Sequence, residues 1–244
     1  MQVLVTGSSS EPGQLICETL LERGDRVVAF DLRPTGIHHA NLVSVVGDVR
    51  DGDALNRAAE GCDTGIHLAV MAGESPAIEL ISVNVLGAYT FFEAARRHGF
   101  SMSVLTSSAP GHLSPGSHDN AILNTSGEND LYDLTKTVQE VIAQDFHLHG
   151  LPTICLRLGH IVRGADGVNA DEPIPLHALD YCRGGWVAIE DVVPACIAAL
   201  SVVPETEFKL YNLVGSRSGR ARYRTADAER RLGMKLQYDF AEFE

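Results

Sequence analysis

The chain has 244 residues, enough to bury a sizeable core in one domain or in one domain with a small appendage. Its composition, 45% hydrophobic and 21% charged, is that of an ordinary soluble globular protein. A formal net charge of −13, with lysine only at Lys136, Lys209 and Lys235, argues against nucleic acid and anionic membrane as partners, because both need a basic face.

Gln2–Thr6 is a short apolar run closed by a turn, the pattern of a buried parallel strand. Gly7 to Gly13 follows, and then Leu15, Ile16, Thr19, Leu20 and Leu21 recur at helical spacing as far as Gly24. Pro12 suits a first helical turn and Gly24 a helix end. Strand, glycine-containing turn and helix together make a place where a dinucleotide pyrophosphate binds, since backbone N–H groups and the positive helix end face the phosphates. Gly7 is expected to make the tight turn and Gly13 to let helix and strand pack closely. Ser10 stands where a central glycine is usual. Its Cβ either pushes the pyrophosphate outward or its hydroxyl donates to it, and a plain structural turn is the competing interpretation.

Arg26–Asp31 reads as a second strand ending in an acid, 18 residues after Gly13. A carboxylate there accepts hydrogen bonds from the adenosine ribose hydroxyls and repels a 2′-phosphate, which favours NAD over NADP; Arg33 softens that preference. Leu42–Val46 looks like a third strand, with Asp48 and Val49 after it placed for the adenine. Asp51 equally suits the cap of a helix through Leu55 and Ala58. Thr64–Val70 reads as a fourth strand running into a turn at Gly73. A long helix from Ile78 to His98 carries Asn84, an unfavourable residue in mid-helix that calls for a specific role or a simple hydrogen bond. Met102–Thr106 is a fifth strand leading to Ser107 and Ser108. Pro110 to Asp130, rich in Gly, Pro, Ser, His and Asn, reads as a loop at the carboxyl edge of a parallel sheet, where such folds bind substrate.

Tyr132-Asp133-Leu134-Thr135-Lys136 opens a helix through Val138, Val141, Ile142 and Phe146. Positions i and i+4 share a helix face, so Tyr132 and Lys136 stand side by side. An ammonium neighbour stabilises a phenolate and makes Tyr132 a usable general base; a surface Tyr and Lys on an amphipathic helix is the bland alternative. Pro152–Leu158 is a sixth strand. Residues 159–180, turn-rich with Pro173 and Pro175, are expected in a substrate cap. Trp186–Asp191 begins a short strand, followed by a helix through Val203 that Asp191 is expected to cap, and Phe208–Leu213 is another strand. Arg217, Arg220, Arg222 and Arg224 cluster in what reads as a solvated loop, with an anionic substrate, a cofactor phosphate or a facing acidic surface as alternatives. A helix from Ala226 to Leu232 and an acidic tail follow.

Cys17, Cys62, Cys155, Cys182 and Cys196 are scattered in apolar contexts, and the chain enters its first strand without a basic leader. A cytoplasmic protein with buried thiols is the expectation. No apolar run approaches the ~20 residues of a membrane span. The ten histidines show no ligand pairing beyond His147 and His149, expected on a helix-end surface, so no metal site is predicted.

Thr6-Gly7 with Gly13, Asp31, Asp48-Val49, His67-Leu68-Ala69, Asn84, Thr106-Ser107-Ser108, Tyr132 with Lys136, Leu156-Arg157-Leu158, Ile189-Glu190-Asp191 and Tyr211-Asn212 fall in one ordered set. In order and approximate spacing the set resembles the short-chain dehydrogenase/reductase superfamily, in its extended branch of NAD-dependent epimerase/dehydratase enzymes. The resemblance implies an α/β, doubly wound Rossmann fold with a mostly parallel sheet of about seven strands. Residues 1–158 would form the dinucleotide-binding core, and residues 159–244 would complete the sheet and supply a small C-terminal substrate cap. It implies NAD contacts from Gly7, Ser10, Glu11, Pro12, Gly13, Asp31, Leu32, Arg33, Asp48, Val49, Leu68, Ala69, Val70, Asn84 and Thr106. Tyr132 and Lys136 would join them, Lys136 holding the nicotinamide ribose. Ser108 would hydrogen-bond the reacting oxygen and Tyr132 would exchange the proton. Ser108 is preferred to Ser107 because Ala109 completes the family's Ser-Ala step.

The chain's size, Trp186 before Ile-Glu-Asp, and Leu232-Gly233 resemble uronate dehydrogenases and other compact members. Yet Ala109 and Pro110 stand where an Asn-His pair is typical, His160 where a Ser is usual, and His112 where sugar-nucleotide enzymes often keep a tyrosine. Those departures weaken the case for a uronate. The expected protein is an NAD(P)-dependent oxidoreductase. Its hydride would pass between nicotinamide and a secondary alcohol or ketone of a small polyol, sugar acid or biosynthetic intermediate. Ser108, Ala109, His112, His160 and Arg183 are the expected substrate contacts. An NAD-dependent sugar or sugar-nucleotide epimerase or dehydratase would need the same triad. A non-catalytic NAD-sensing regulator is disfavoured because both Tyr132 and Lys136 are present. Members of the superfamily often pair through the Tyr/Lys helix and the long helix before it, so the resemblance also implies a homodimer.

Overall fold

Apolar runs too short for helices, Val3-Leu4-Val5 and Val27-Val28-Ala29-Phe30 among them, are buried on both faces. Strands of a parallel sheet covered by helices on either side must be. In the computed structural model, which describes residues 1–73, 75–109, 131–164, 167–169, 174–176 and 184–244, the strands in chain order are as follows. They are β1 (Gln2–Thr6), β2 (Arg26–Asp31), β3 (Leu42–Val46), β4 (Thr64–His67), β5 (Ser103–Ser108), β6 (Thr153–Leu158), β7 (His160–Arg163), β8 (Val168–Asn169), β9 (Trp186–Ala188) and β10 (Leu210–Leu213). Seven of them form one sheet in the order β10-β6-β5-β4-β1-β2-β3. Every neighbouring pair in it is parallel, which is the expected doubly wound topology. The chain runs outward from β1 in both directions, so a crevice opens between the carboxyl ends of β1 and β4, where ligands of such sheets bind.

The helices are α1 (Glu11–Glu22), α2 (Gly52–Ala58), α3 (Ala77–Ile81), a π-helical turn (Ser82–Leu86), α4 (Gly87–Arg97), α5 (Leu131–Leu148), α6 (Ile189–Ala199), α7 (Arg217–Arg222) and α8 (Thr225–Leu232). α1, α6 and α8 bury Ile16, Leu20, Val192, Cys196 and Leu232 on one face of the sheet. α2, α4 and α5 bury Leu55, Phe91, Phe92, Ala143 and Phe146 on the other. Each large apolar side chain so removed from water contributes roughly 1.5–3 kcal/mol, offset by the entropy of ordering it. Residues 77–97 reach a mean hydropathy of 1.2 over 18 residues, the level of a membrane span. The cause is twofold. Phe91, Phe92 and Ala95 face the core, while Ile78, Ile81 and Leu86 are apolar and exposed.

Beyond shifted strand ends and the π-helical turn that interrupts the expected helix Ile78–His98, four details differ from the sequence expectations. The supposedly irregular stretch after β6 contains β7, which pairs with β9 and β8 in a second, three-stranded sheet. Asp191 caps nothing: it is 1% exposed, and its carboxylate accepts the backbone N–H groups of Gln237 and Tyr238 at 2.8 and 3.1 Å. It therefore anchors the C-terminal segment, and the helix it was to cap ends at Ala199, not Val203. Arg217, Arg220 and Arg222 lie on the short helix α7, capped by Ser216, with Arg217 bound to Asp239 at 3.0 Å and Arg220 to Glu229 at 3.3 Å, while Arg224 precedes α8 and pairs with Asp227 at 2.8 Å. The cluster's partner is this chain's own acidic surface. Finally, His147 is buried with Nδ1 accepting from Thr153 N, and only His149 lies on the surface. Cys17, Cys62, Cys155 and Cys196 are buried free thiols as expected; Cys182 lies outside the described residues.

Candidate active site

The site begins where β1 ends. Gly7 adopts φ +75°, and a Cβ there would meet Ala69 N at 2.6 Å, so only glycine lets the turn pass the end of β4. A Cβ on Gly13 would meet Gly7 O at 2.3 Å, which is the close helix–strand approach expected of it. Ser10 is the N-cap of α1: Oγ accepts from Gly13 N at 3.2 Å and donates to Gly7 O at 2.7 Å. Its single proton is thus committed within the turn. Asp31 braces the same turn from β2, with Oδ2 accepting from Ser9 N at 3.0 Å and Oδ1 from Arg33 N at 3.2 Å. Glu11 pairs with Arg163 of β7 at 2.9 Å, which offsets its negative charge beside the turn. Asp48 is bound by the Arg50 guanidinium, and that bond holds its carboxyl below the usual range.

From the end of β4 the wall continues through 68–72. Asn84, fully buried in the π-helical turn, fixes this stretch: Oδ1 accepts from Met71 N at 2.7 Å and Nδ2 donates to Met71 O at 3.0 Å. Its Nδ2 also donates to Thr135 Oγ1 on α5 at 2.9 Å, so its role here is hydrogen bonding behind the wall. At the end of β5, side chains alternate between faces. Both Ser107 and Ser108 line the cleft, but Ser107 Oγ donates to buried Glu140 at 2.6 Å, whereas Ser108 is half-buried. Lys136, 6% exposed, donates from Nζ to Thr106 O at 3.0 Å and lies 5.8 Å from the centre of the Tyr132 ring. Burial pushes its pKa down to about 8, against the Glu140 carboxylate, which acts the other way. Beneath it His67 stacks on Phe91 and shares a 2.7 Å hydrogen bond with Thr6, and burial first, then the Lys136 charge, pushes it down to about 3.

These groups share one cleft of about 1030 Å³. Gly7, Ser10, Pro12, Asp31, Leu32, Arg33, Asp48 and Val49 line one part of it, followed by Leu68, Ala69 and Val70. Thr106, Ser107, Ser108, Ala109, Tyr132, Lys136 and His160 line another part. Among the expected contacts Glu11, Gly13 and Asn84 stand behind the wall, and His112 and Arg183 lie outside the described residues. Met71, Val83, Ile161 and Tyr223 also line it, unanticipated. Ile161 belongs to the undetected strand β7, and Tyr223 follows α7, a helix hidden in the arginine cluster. The residues present fit a dinucleotide. The volume suffices, glycine backbone lies where a Cβ would obstruct, and a carboxylate ends β2.

Fold and site define a doubly wound nucleotide-binding protein of the extended short-chain dehydrogenase/reductase class. The chain belongs to the NAD dependent epimerase/dehydratase family, whose model matches residues 3–165. It is 36% identical over 151 residues to a 3-beta-hydroxysteroid dehydrogenase of Mycolicibacterium neoaurum, a match covering 57% of this chain and 41% of that one. It is 29% identical over 170 residues to a uronate dehydrogenase of Pseudomonas syringae pv. tomato, covering 65% and 58%. The chain thus spans less than two thirds of the length of these relatives. A uronate dehydrogenase structure from Agrobacterium tumefaciens superposes with a TM-score of 0.77 over 99% of this chain and 86% of that one, at 24% identity. A short-chain dehydrogenase/reductase superfamily protein from Agrobacterium tumefaciens with bound NAD gives 0.76 over 100% and 94%, at 20% identity. At such identities these likenesses show the fold.

Proposed function

We propose that this chain is an NAD-dependent dehydrogenase or reductase acting on a secondary alcohol or ketone of a small polyol, sugar acid or biosynthetic intermediate. Ser108, Tyr132 and Lys136 are its catalytic groups. The observation that carries this is a buried ammonium, fixed to Thr106 O at 3.0 Å and beside the Tyr132 ring, on the wall of a cleft that also holds the Gly7 turn and Asp31. The turn would take the pyrophosphate and the Asp31 carboxylate the adenosine ribose. Bound there, NAD supplies the hydride acceptor. Ser108 Oγ donates to the reacting oxygen and Tyr132 takes its proton, while the Lys136 charge favours the phenolate. The Thr106 carbonyl keeps the ammonium in place, and its burial keeps competing water away. Ala109, Leu158, Ile161 and Tyr223 give the cleft a largely apolar stretch that suits the carbon skeleton of such a substrate.

The quaternary state belongs to the same proposal. Ile78, Ile81, Leu86 and Tyr89 on residues 77–97, with Leu134 and Val141 on α5, are exposed apolar side chains on neighbouring helices, and a second copy of the chain would cover them.

A panel of secondary alcohols and sugar acids incubated with NAD tests the activity. Stoichiometric NADH and ketone are expected. Isomerised product with no net NADH would contradict a dehydrogenase and point to an epimerase that retains its cofactor.

A further inference from the structure

One turn beyond Lys136 on the same face of α5 lies Glu140, 2% exposed. Arg157 of β6, 6% exposed, meets its carboxylate with two bonds, Nε to Oε1 at 2.7 Å and Nη2 to Oε2 at 2.6 Å. Ser107 Oγ of β5 donates to Oε1 at 2.6 Å. Three elements therefore converge on one buried carboxylate. Two of them carry the proposed site: β5 bears Thr106 and Ser108, and α5 bears Tyr132 and Lys136.

Resting on the function proposed above, we propose that Glu140 and Arg157 are positioning residues for Lys136. As a charge-balanced pair they set how tightly its ammonium holds a proton, and hence the pH range in which it serves Tyr132. A buried unit charge a few ångströms from a titrating group moves its midpoint by about 1–3 pH units. Glu140 stands one helical turn from the ammonium and favours its charge, while Arg157 carries the opposite charge bound directly to that carboxylate, so the pair as a whole exerts less field on Lys136 than Glu140 alone would. Burial already brings Lys136 to about 8, where a small imbalance would empty or fill the ammonium near neutral pH.

The other groups that face Lys136 do not supply this balance. On α5 itself Tyr132 presents its ring, β5 presents the Thr106 carbonyl, and the π-helical turn presents the uncharged Asn84 amide. β6 adds the Cys155 thiol, which burial pushes well up, so it is uncharged near neutral pH. β4 adds His67, neutral because it is pushed down to about 3. α3 and α4 hold their charges elsewhere: Arg96 pairs with Glu93 and lies over Phe146, and Glu79 is exposed. A salt bridge that merely glued α5 to β6 would, when broken, weaken the fold without moving the Lys136 midpoint by a sign that follows the charge removed.

With lysine only at 136, 209 and 235, the whole chain labelled with 13C- and 15N-lysine and titrated by NMR without cofactor reads Lys136 directly, and Lys136→Met identifies its signal. Glu140→Gln leaves Arg157 unbalanced and is expected to lower the midpoint by about one pH unit, a tenfold loss of proton affinity. Arg157→Met leaves Glu140 unbalanced and is expected to raise it by about as much. The double variant and Arg157→Lys should stay near the unsubstituted protein. Should one single variant fail to fold in a thermal melt, the sign of the other against the double variant decides. An unchanged midpoint throughout, or shifts of one sign in both single variants, would overturn the proposal. Because the titration needs neither NAD nor substrate, absent turnover alongside the expected shifts would count against the proposed function and not against the charge balance.

Discussion

At the residue scale, two groups beside the cleft carry predictions of different kinds. Asp31 spends part of its carboxylate on Ser9 N and Arg33 N at the end of β2. Asp31→Asn retains an acceptor for Ser9 and removes the charge that repels a 2′-phosphate. The NAD:NADP preference is therefore expected to fall roughly tenfold, or about 1.4 kcal/mol, near the Coulomb energy of a surface charge pair. Equal ratios before and after, measured by binding of each cofactor, would remove Asp31 from the ribose. His67 was legible only as part of a motif, since nothing local announces that it is buried against Phe91. Its folded pKa of about 3 lies below its ordinary 6.5. Between those values the unfolded chain binds a proton that the folded one does not, so stability falls as pH falls through that window. The slope is about 1.4 kcal/mol per pH unit. Urea unfolding from neutral pH down through that window should show the unsubstituted protein losing stability more steeply than His67→Gln by about that slope; parallel slopes would contradict a buried neutral imidazole.

Elements defined by period and punctuation were legible, and those defined by distant partners were not. β1, the Gly7–Gly13 turn, α1 and β2 follow from apolar runs, one proline and three glycines, and they appear where expected. β7 was missed because four residues leave no periodic signal, and its partner β9 lies across a long insertion. Asp191 looked like a cap because it precedes an apolar helix, but its carboxylate is claimed by Gln237 and Tyr238, a contact spanning nearly 50 positions. Asn84 was noticed as out of place, and the π-helical turn around it explains why: it points inward to hold Met71 and Thr135. The outer faces of α5 and residues 77–97 support the second copy proposed above. Sedimentation equilibrium should give twice the chain mass, and Leu86→Glu with Val141→Glu should reduce it to one. A single-chain mass for the unsubstituted protein would refute that pairing.

Across the whole molecule, the parallel order β10-β6-β5-β4-β1-β2-β3 brings the carboxyl ends of β1, β2, β4 and β5 to one edge. That is why residues scattered from Gly7 to Lys136 line a single cleft, and why motif order alone could assemble most of the site in advance. The far part of the cleft was least legible: His160 was expected there, but the strand β7 that carries it and Tyr223 beside it were not. The most direct measurement pairs calorimetric titration of NAD with steady-state turnover in Tyr132→Phe, which removes one oxygen from the cleft wall. NAD affinity is expected to stay near that of the unsubstituted chain while turnover falls by about 10²–10⁴-fold, the usual contribution of a proton-transfer group. Turnover at the unsubstituted level would contradict the account.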